Sequence, residues 1–196
     1  MNVLALELSS SVGSVAFRSG ETQLFKVFPA DRKHSGLFYE NLGEIQSAAG
    51  AAKDIVVGLG PGSYAGVRIA IATAIGLRAA SGARLLGLPS ICAFDEKEYL
   101  VVGDARRNSF FFAHVVDGDC ATAPTLASES ELRTWLETRP DLPVVASQAL
   151  PQFERATVAH PSAFRLAELA LRVEGAGEEM LEPIYLREPH ITTARR

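Results

Sequence analysis

The sequence predicts an α/β protein of two related lobes, each a mixed sheet flanked by helices. Three observations carry this expectation. The first half opens with three strand-like runs and then alternates helix with strand, and the second half begins with a similar strand–acid–turn–strand unit. Composition is that of an ordinary globular chain, 47% hydrophobic and 21% charged over 196 residues, long enough to bury a sizeable core.

Val3 to Leu8, Gly13 to Phe17 and Gln23 to Phe28 read as short strands joined by tight turns. A helix is expected over His34 to Ala49, where Leu37, Phe38, Leu42, Ile45 and Ala49 recur at helical spacing and Gly50 closes the run. Ile55 to Gly58 reads as a strand, Val67 to Ala80 as a helix, and Leu85 to Leu88 as a strand ended by Pro89. The order βββαβαβ implies a mixed sheet with helices packed on it.

In the second half, Leu100 to Asp104 and Ser109 to Val116, ending in Asp117-Gly118, echo Leu4 to Glu7 and Gly13 to Phe17, ending in Ser19-Gly20. The span from Glu7 to Gly20 is 13 residues and that from Asp104 to Gly118 is 14. The repeat predicts lobes at 1–98 and 99–196 with a cleft between them, the usual place for a ligand. Ser128 and Glu131 have capping-box spacing, Trp135 reads as a core anchor, and Ser162 to Val173 reads as an amphipathic helix. Pro183 to Arg187 is expected as an extended segment lying back on the domain.

Between the strand at Ile55 and the helix lies Gly60-Pro61-Gly62-Ser63, a turn that only small residues can tighten and that aims N–H groups at the helix start. Gly60, Gly62 and Ser63 are therefore candidates for binding an anion. Spacing excludes the sharper versions of this reading. Gly66 is followed by Val67 and Arg68, not by the Lys and Ser or Thr of a Walker A loop. No acid occurs between Asp54 and Asp95 to hold a dinucleotide ribose, and Pro61 and Ala65 stand where a nucleophile elbow needs glycines. A tight turn without ligand is at least as good a reading.

From Val67 to Ala80 the only polar side chains are Arg68, Thr73 and Arg78, so this helix must be covered on more than one side. Ala72, Gly76, Ala79 and Ala80 form a low ridge suited to close approach of another helix, from this chain or from a partner. The nine residues between Arg68 and Arg78 fall short of the roughly 20 that a membrane span requires. A net charge of -4 with few adjacent basic residues argues against strong direct binding to nucleic acid. Cys92 and Cys120 are too few for a disulfide framework or zinc site, and they read as buried thiols of a reducing compartment. With no basic stretch ahead of the first strand, a cytoplasmic location is expected.

Leu4-Ala5-Leu6-Glu7-Leu8-Ser9-Ser10, His34-Ser35, Gly58 through Ile69, Asp104-Ala105-Arg106-Arg107 and Pro183 through Arg187 lie in an order that resembles the bacterial tRNA threonylcarbamoyladenosine biosynthesis family TsaB, also called YeaZ. The resemblance implies two ribonuclease-H-like lobes of the actin and sugar-kinase (ASKHA) type. It implies a protein without catalysis, metal or cofactor of its own that partners TsaD, the transferase acting on adenosine 37 of tRNA, with TsaE in the assembled complex. ATP is then expected only at the partner interface, tRNA is engaged indirectly, and no membrane is involved. The resemblance also places the TsaD contact and a homodimer contact on the first two helices. On this chain the candidates are Leu37, Glu40, Asn41 and Glu44 of the first, with Val67, Arg68, Ile71, Ala72, Ile75, Gly76 and Ala79 of the second. This chain has Glu7 where the family usually has Asp, and Tyr64-Ala65 where it has Phe-Thr. The alternative is an enzyme using the interlobe cleft, either a phosphotransferase with Glu7 facing a magnesium-bound phosphate or a peptidase.

Overall fold

A computed structural model describes residues 2–31, 36–172 and 181–186. Strands β1 (Asn2–Glu7), β2 (Val12–Ser19) and β3 (Thr22–Pro29) form an antiparallel meander, to which β4 (Asp54–Gly58) and β5 (Arg84–Leu88) add in parallel. The strand order is β3-β2-β1-β4-β5. Helix α1 (Leu37–Ala48) leads into β4, and helix α2 (Tyr64–Ser81) connects β4 to β5.

The second sheet repeats this order strand for strand. Strands β6 (Glu98–Asp104), β7 (Phe110–Val116) and β8 (Asp119–Ala127) form the meander; β9 (Val144–Ala146) and β10 (Ala156–Val158) add in parallel to give β10-β9-β6-β7-β8. Helix α3 (Glu129–Glu137) holds the place of α1, whereas turns join β9 to β10 where α2 stands in the first lobe. The duplication read from two strands therefore extends to five. The α/β class with two mixed sheets flanked by helices is as expected.

Side-chain alternation decides what covers each face. Leu4, Leu6 and Leu8 of the first strand and its extension point to the face covered by Phe38, Leu42 and Ile45 of α1 and by Val67, Ala70, Ile71 and Ala74 of α2. Val3 and Ala5 point the other way, onto Ala163, Leu166, Ala167 and Ala170 of helix α4 (Ala163–Ala170). Leu169 of α4 packs with Tyr99, Val101 and Val115 of the second sheet, so one helix is wedged against both sheets. Arg18 of β2 pins it by an ion pair to Glu168 at 3.2 Å, and Ser14 accepts the Ala163 N–H at 2.8 Å.

Several local expectations are refined. Helix α2 starts three residues before Val67, capped by Ser63, whose hydroxyl accepts the Gly66 N–H at 3.2 Å. Helix α1 ends at Ala48 with Ala49 extended, so Gly50 supplies no left-handed cap. The capping box of Ser128 and Glu131 is present, and Ser162 caps a helix that ends at Ala170, short of Val173. Trp135 is half-buried against Phe112 rather than at the centre of the core. Among the described residues no helix is long and apolar enough to cross a membrane.

Candidate functional site

The glycine-rich turn is pressed against the end of β1. Gly60 has φ 87°, a conformation that favours glycine, and its peptide bond to Pro61 is cis. Gly62 does not have positive φ; a Cβ there would run into the Ser9 carbonyl, and one on Gly66 into the Leu8 carbonyl. Close approach is thus the reason for both residues. The turn also uses its own donors: Gly60 N–H bonds Ser90 Oγ at 3.0 Å, Ser63 N–H bonds the Ser9 carbonyl at 2.6 Å, and Gly66 N–H bonds its cap. Donors that an anion at Gly60, Gly62 and Ser63 would draw on are in part spent on the fold.

Glu7, at the end of β1, is fully buried. Its Oε1 accepts the Ser9 N–H at 2.6 Å, and Gly58 lies so close that a Cβ there would strike both the carboxyl group and Ser90 Oγ. Burial, working against hydrogen bonds from Ser9 and Ser90, pushes its pKa above the usual carboxylate value. The carboxyl group is thus packed into the junction of β1, β4 and the glycine-rich turn. Asp104, the acid of the second half, accepts the Arg106 N–H at 2.6 Å across a hairpin loop.

Helix α2 presents two different faces. Val67 and Ile71, expected at an interface, are instead buried in the first core, because they alternate with Ala70 and Ala74 on the side facing β1 and β4. The opposite side carries Ala65, Arg68, Ala72, Ile75 and Ala79, all exposed, with Ile69 and Gly76 beside them. Ile75 is 51% exposed and Ile69 39%, large apolar surface for one helix. Around Gly76 there is open space: a Cβ built there meets nothing within 4 Å. On α1, Glu40 is exposed, Leu37 and Asn41 are half-buried, and Asn41 Nδ2 donates to the Leu37 carbonyl at 2.7 Å. Glu44 is turned to β3, where it pairs with Lys26 at 2.6 Å.

The C-terminal segment meets this surface. Ile184 N–H donates to the Leu59 carbonyl at 2.8 Å, and Arg68 Nε donates to the Tyr185 hydroxyl at 2.8 Å. Arg68 Cζ also stands 4.1 Å from the centre of the Tyr64 ring, so this arginine is engaged by its own chain. The segment expected to lie back on the domain does so over 181–186, and Arg187 falls outside the described residues, as do His34 and His190.

A cavity of about 550 Å³ opens between β2–β3 and the start of α4, lined by Ser14, Phe25, Asp95, His160, Ser162 and Phe164 among others. His160 Nδ1 lies 3.1 Å from Ser10 Oγ, a pairing across 150 residues that no spacing rule could reveal. The Ser10 hydroxyl donates to the Val12 carbonyl at 2.8 Å, which engages the proton a base would take. His114, the other described histidine, pairs with Glu98 at 2.9 Å. Among the described residues no three His, Cys, Asp or Glu side chains gather as a metal site.

Residues 29–133, more than half of the chain, match the profile of the family described as TsaD: tRNA N6-adenosine threonylcarbamoyltransferase. An uncharacterized protein of Mycobacterium tuberculosis is 30% identical over 139 residues, 69% of this chain and 64% of that protein. Another, from Mycobacterium leprae, is 35% identical over 81 residues, 40% of this chain and 23% of that protein. This chain therefore spans less than two thirds of the length of these curated relatives. The solved structure of YeaZ from Pseudomonas aeruginosa superposes with TM-score 0.77 over 94% of this chain and 99% of that one, at 22% identity. A second Pseudomonas aeruginosa structure, described as similar to peptidase YEAZ, gives TM-score 0.76 over 95% and 99% at 22% identity. The fold is that of YeaZ, and the chain belongs to the TsaD family of tRNA N6-adenosine threonylcarbamoyltransferase.

Proposed function

We propose that this chain acts in making N6-threonylcarbamoyladenosine at position 37 of tRNA, as a non-catalytic subunit that docks on a TsaD transferase subunit. The observation that carries the reading is the outward side of α2, where Ala72, Ile75, Gly76 and Ala79 present an exposed apolar strip with room at Gly76. Small residues let a partner helix approach closely, and the flanking Ile69 and Ile75 supply apolar area to bury. The family match supports the pathway. On this reading the same strip serves a homodimer when TsaD is absent, TsaE joins the assembled complex, and tRNA is engaged through TsaD. The chain holds no cofactor of its own, ATP binds only at the subunit interface, and the proteins meet in the cytoplasm.

One observation favours a second reading, a hydrolase using the 550 Å³ cavity: the proximity of Ser10 to His160 near its wall. Ser10 is almost fully buried and its proton is engaged, so this pair is the weaker basis.

Reconstitution separates the two. Purified TsaD and the remaining modification enzymes from the same source, given tRNA, threonine, bicarbonate and ATP, should yield the modified nucleoside by mass spectrometry only when this chain is added. Full yield without it would remove the scaffold role. Peptide hydrolysis by this chain alone, lost in Ser10→Ala, would establish the hydrolase.

A further inference from the structure

Cys92 ends the 3-10 turn Ser90–Cys92 that follows the first sheet, and Cys120 lies on β8, the outer strand of the second. Though 28 residues apart in the chain, their Sγ atoms are 3.4 Å apart. Cys92 is buried beside Ile91 and Phe94, whereas Cys120 is partly exposed. One thiol that solvent can reach, backed by one that it cannot, is the arrangement of an attacking and a resolving sulfur. The hydrogen bond between them lowers the Cys120 pKa below the usual thiol value; the same bond, with burial, pushes Cys92 upward.

We propose that Cys92 and Cys120 form a reversible disulfide between the turn that follows β5 and strand β8, with Cys120 as the sulfur that meets the oxidant, a small-molecule disulfide of the glutathione type. The Cys120 thiolate attacks one sulfur of that disulfide, forming a mixed disulfide and expelling one thiolate. Cys92 gives up its proton to the departing thiolate or to water and attacks the Cys120 sulfur, expelling the second small thiol. One small disulfide is reduced to two thiols while two protein thiols become one disulfide, so electrons and protons balance.

The bond would tie β8 to the segment that supports the glycine-rich turn. Ser90, two residues before Cys92, accepts the Gly60 N–H at 3.0 Å and returns its own N–H to the Gly60 carbonyl at 2.8 Å. Oxidation would thus fasten the support of the turn that begins α2.

The test is to incubate the folded full chain with glutathione disulfide, quench with acid, alkylate remaining thiols and measure the intact mass. The expected result is loss of both free thiols and of two hydrogens, a Cys92–Cys120 linked peptide after non-reducing digestion, and full reversal by dithiothreitol. Cys92→Ser should retain a glutathione adduct on Cys120, and Cys120→Ser should leave Cys92 unmodified. The proposal is overturned if the wild-type chain stops at the glutathione adduct, links only between chains, or keeps both thiols reduced.

Discussion

Arg68 and Tyr185 are joined by a 2.8 Å hydrogen bond from the guanidinium Nε to the phenol oxygen, 117 residues apart in the chain. The Tyr185 ring also lies 5.5 Å from that of Tyr64, so one arginine and two tyrosines hold the C-terminal segment over the start of α2. Leu181 of the same segment is buried in the first core, and Ile184 bonds the strand-to-turn junction at Leu59. The segment is therefore part of the lobe that carries the proposed interface.

Tyr185→Ala should lower stability by about 1 kcal/mol, the scale of one partly exposed cation–π contact and one hydrogen bond. Tyr185→Phe, which keeps the ring, should lose less. Chemical denaturation measures both, and limited proteolysis near residues 181–186 should quicken only for the alanine variant.

Gly62→Val places a branched side chain against the Ser9 carbonyl and should destabilise the fold by roughly 1 to 3 kcal/mol, as overpacking does. Gly76→Ala is the opposite case, since its Cβ would enter open space on a helix: it should stabilise by about 0.8 to 1 kcal/mol. Melting temperatures that move in opposite directions confirm the two environments. An unchanged melting temperature for Gly62→Val with lost tRNA modification would make the turn a ligand site.

Glu7 sets a pH dependence whose sign follows from burial. Its folded-state pKa is raised above the usual 4.5, so the folded protein holds this proton more tightly than the unfolded chain does. The stability this supplies is full below about 4.5 and is lost as pH rises through the folded value. Glu7→Gln, which keeps the shape and has no charge to bury, should flatten that part of the profile and be the more stable protein at pH 8. Urea titrations from pH 4.5 to pH 8 read this directly; parallel profiles for both proteins would show that the carboxyl is not the cause.

Much of this architecture was legible because it rests on local rules. The first three strands, the cap at Ser128 and the turn at Asp117-Gly118 follow from alternation, capping chemistry and the left-handed φ that both turn residues adopt. Strand β8 carries little sequence signal, since Asp119-Cys120-Ala121-Thr122-Ala123-Pro124 has little alternation and forms a mostly exposed outer strand. β9 and β10 span three residues each, too short for periodicity to register. The helical period of α2 was clear, but its phase was not: a run apolar on all sides gives no sign of which residues face inward, and only the sheet beneath places Val67 and Ile71 in the core and Ile75 outside. The approach of Cys92 to Cys120 and of Ser10 to His160 depends on how the lobes pack, which no local pattern encodes.

The central claim is that the exposed strip of α2 is a docking surface for TsaD, and the affinity of Ala72→Arg for TsaD from the same source tests it most directly. Ala72 is exposed, so the variant should fold with native circular dichroism and an unchanged melting temperature. A cation set into a closely packed apolar contact should weaken binding by about 2 kcal/mol or more, roughly 30-fold, by isothermal titration calorimetry. Native folding with wild-type affinity would contradict the account.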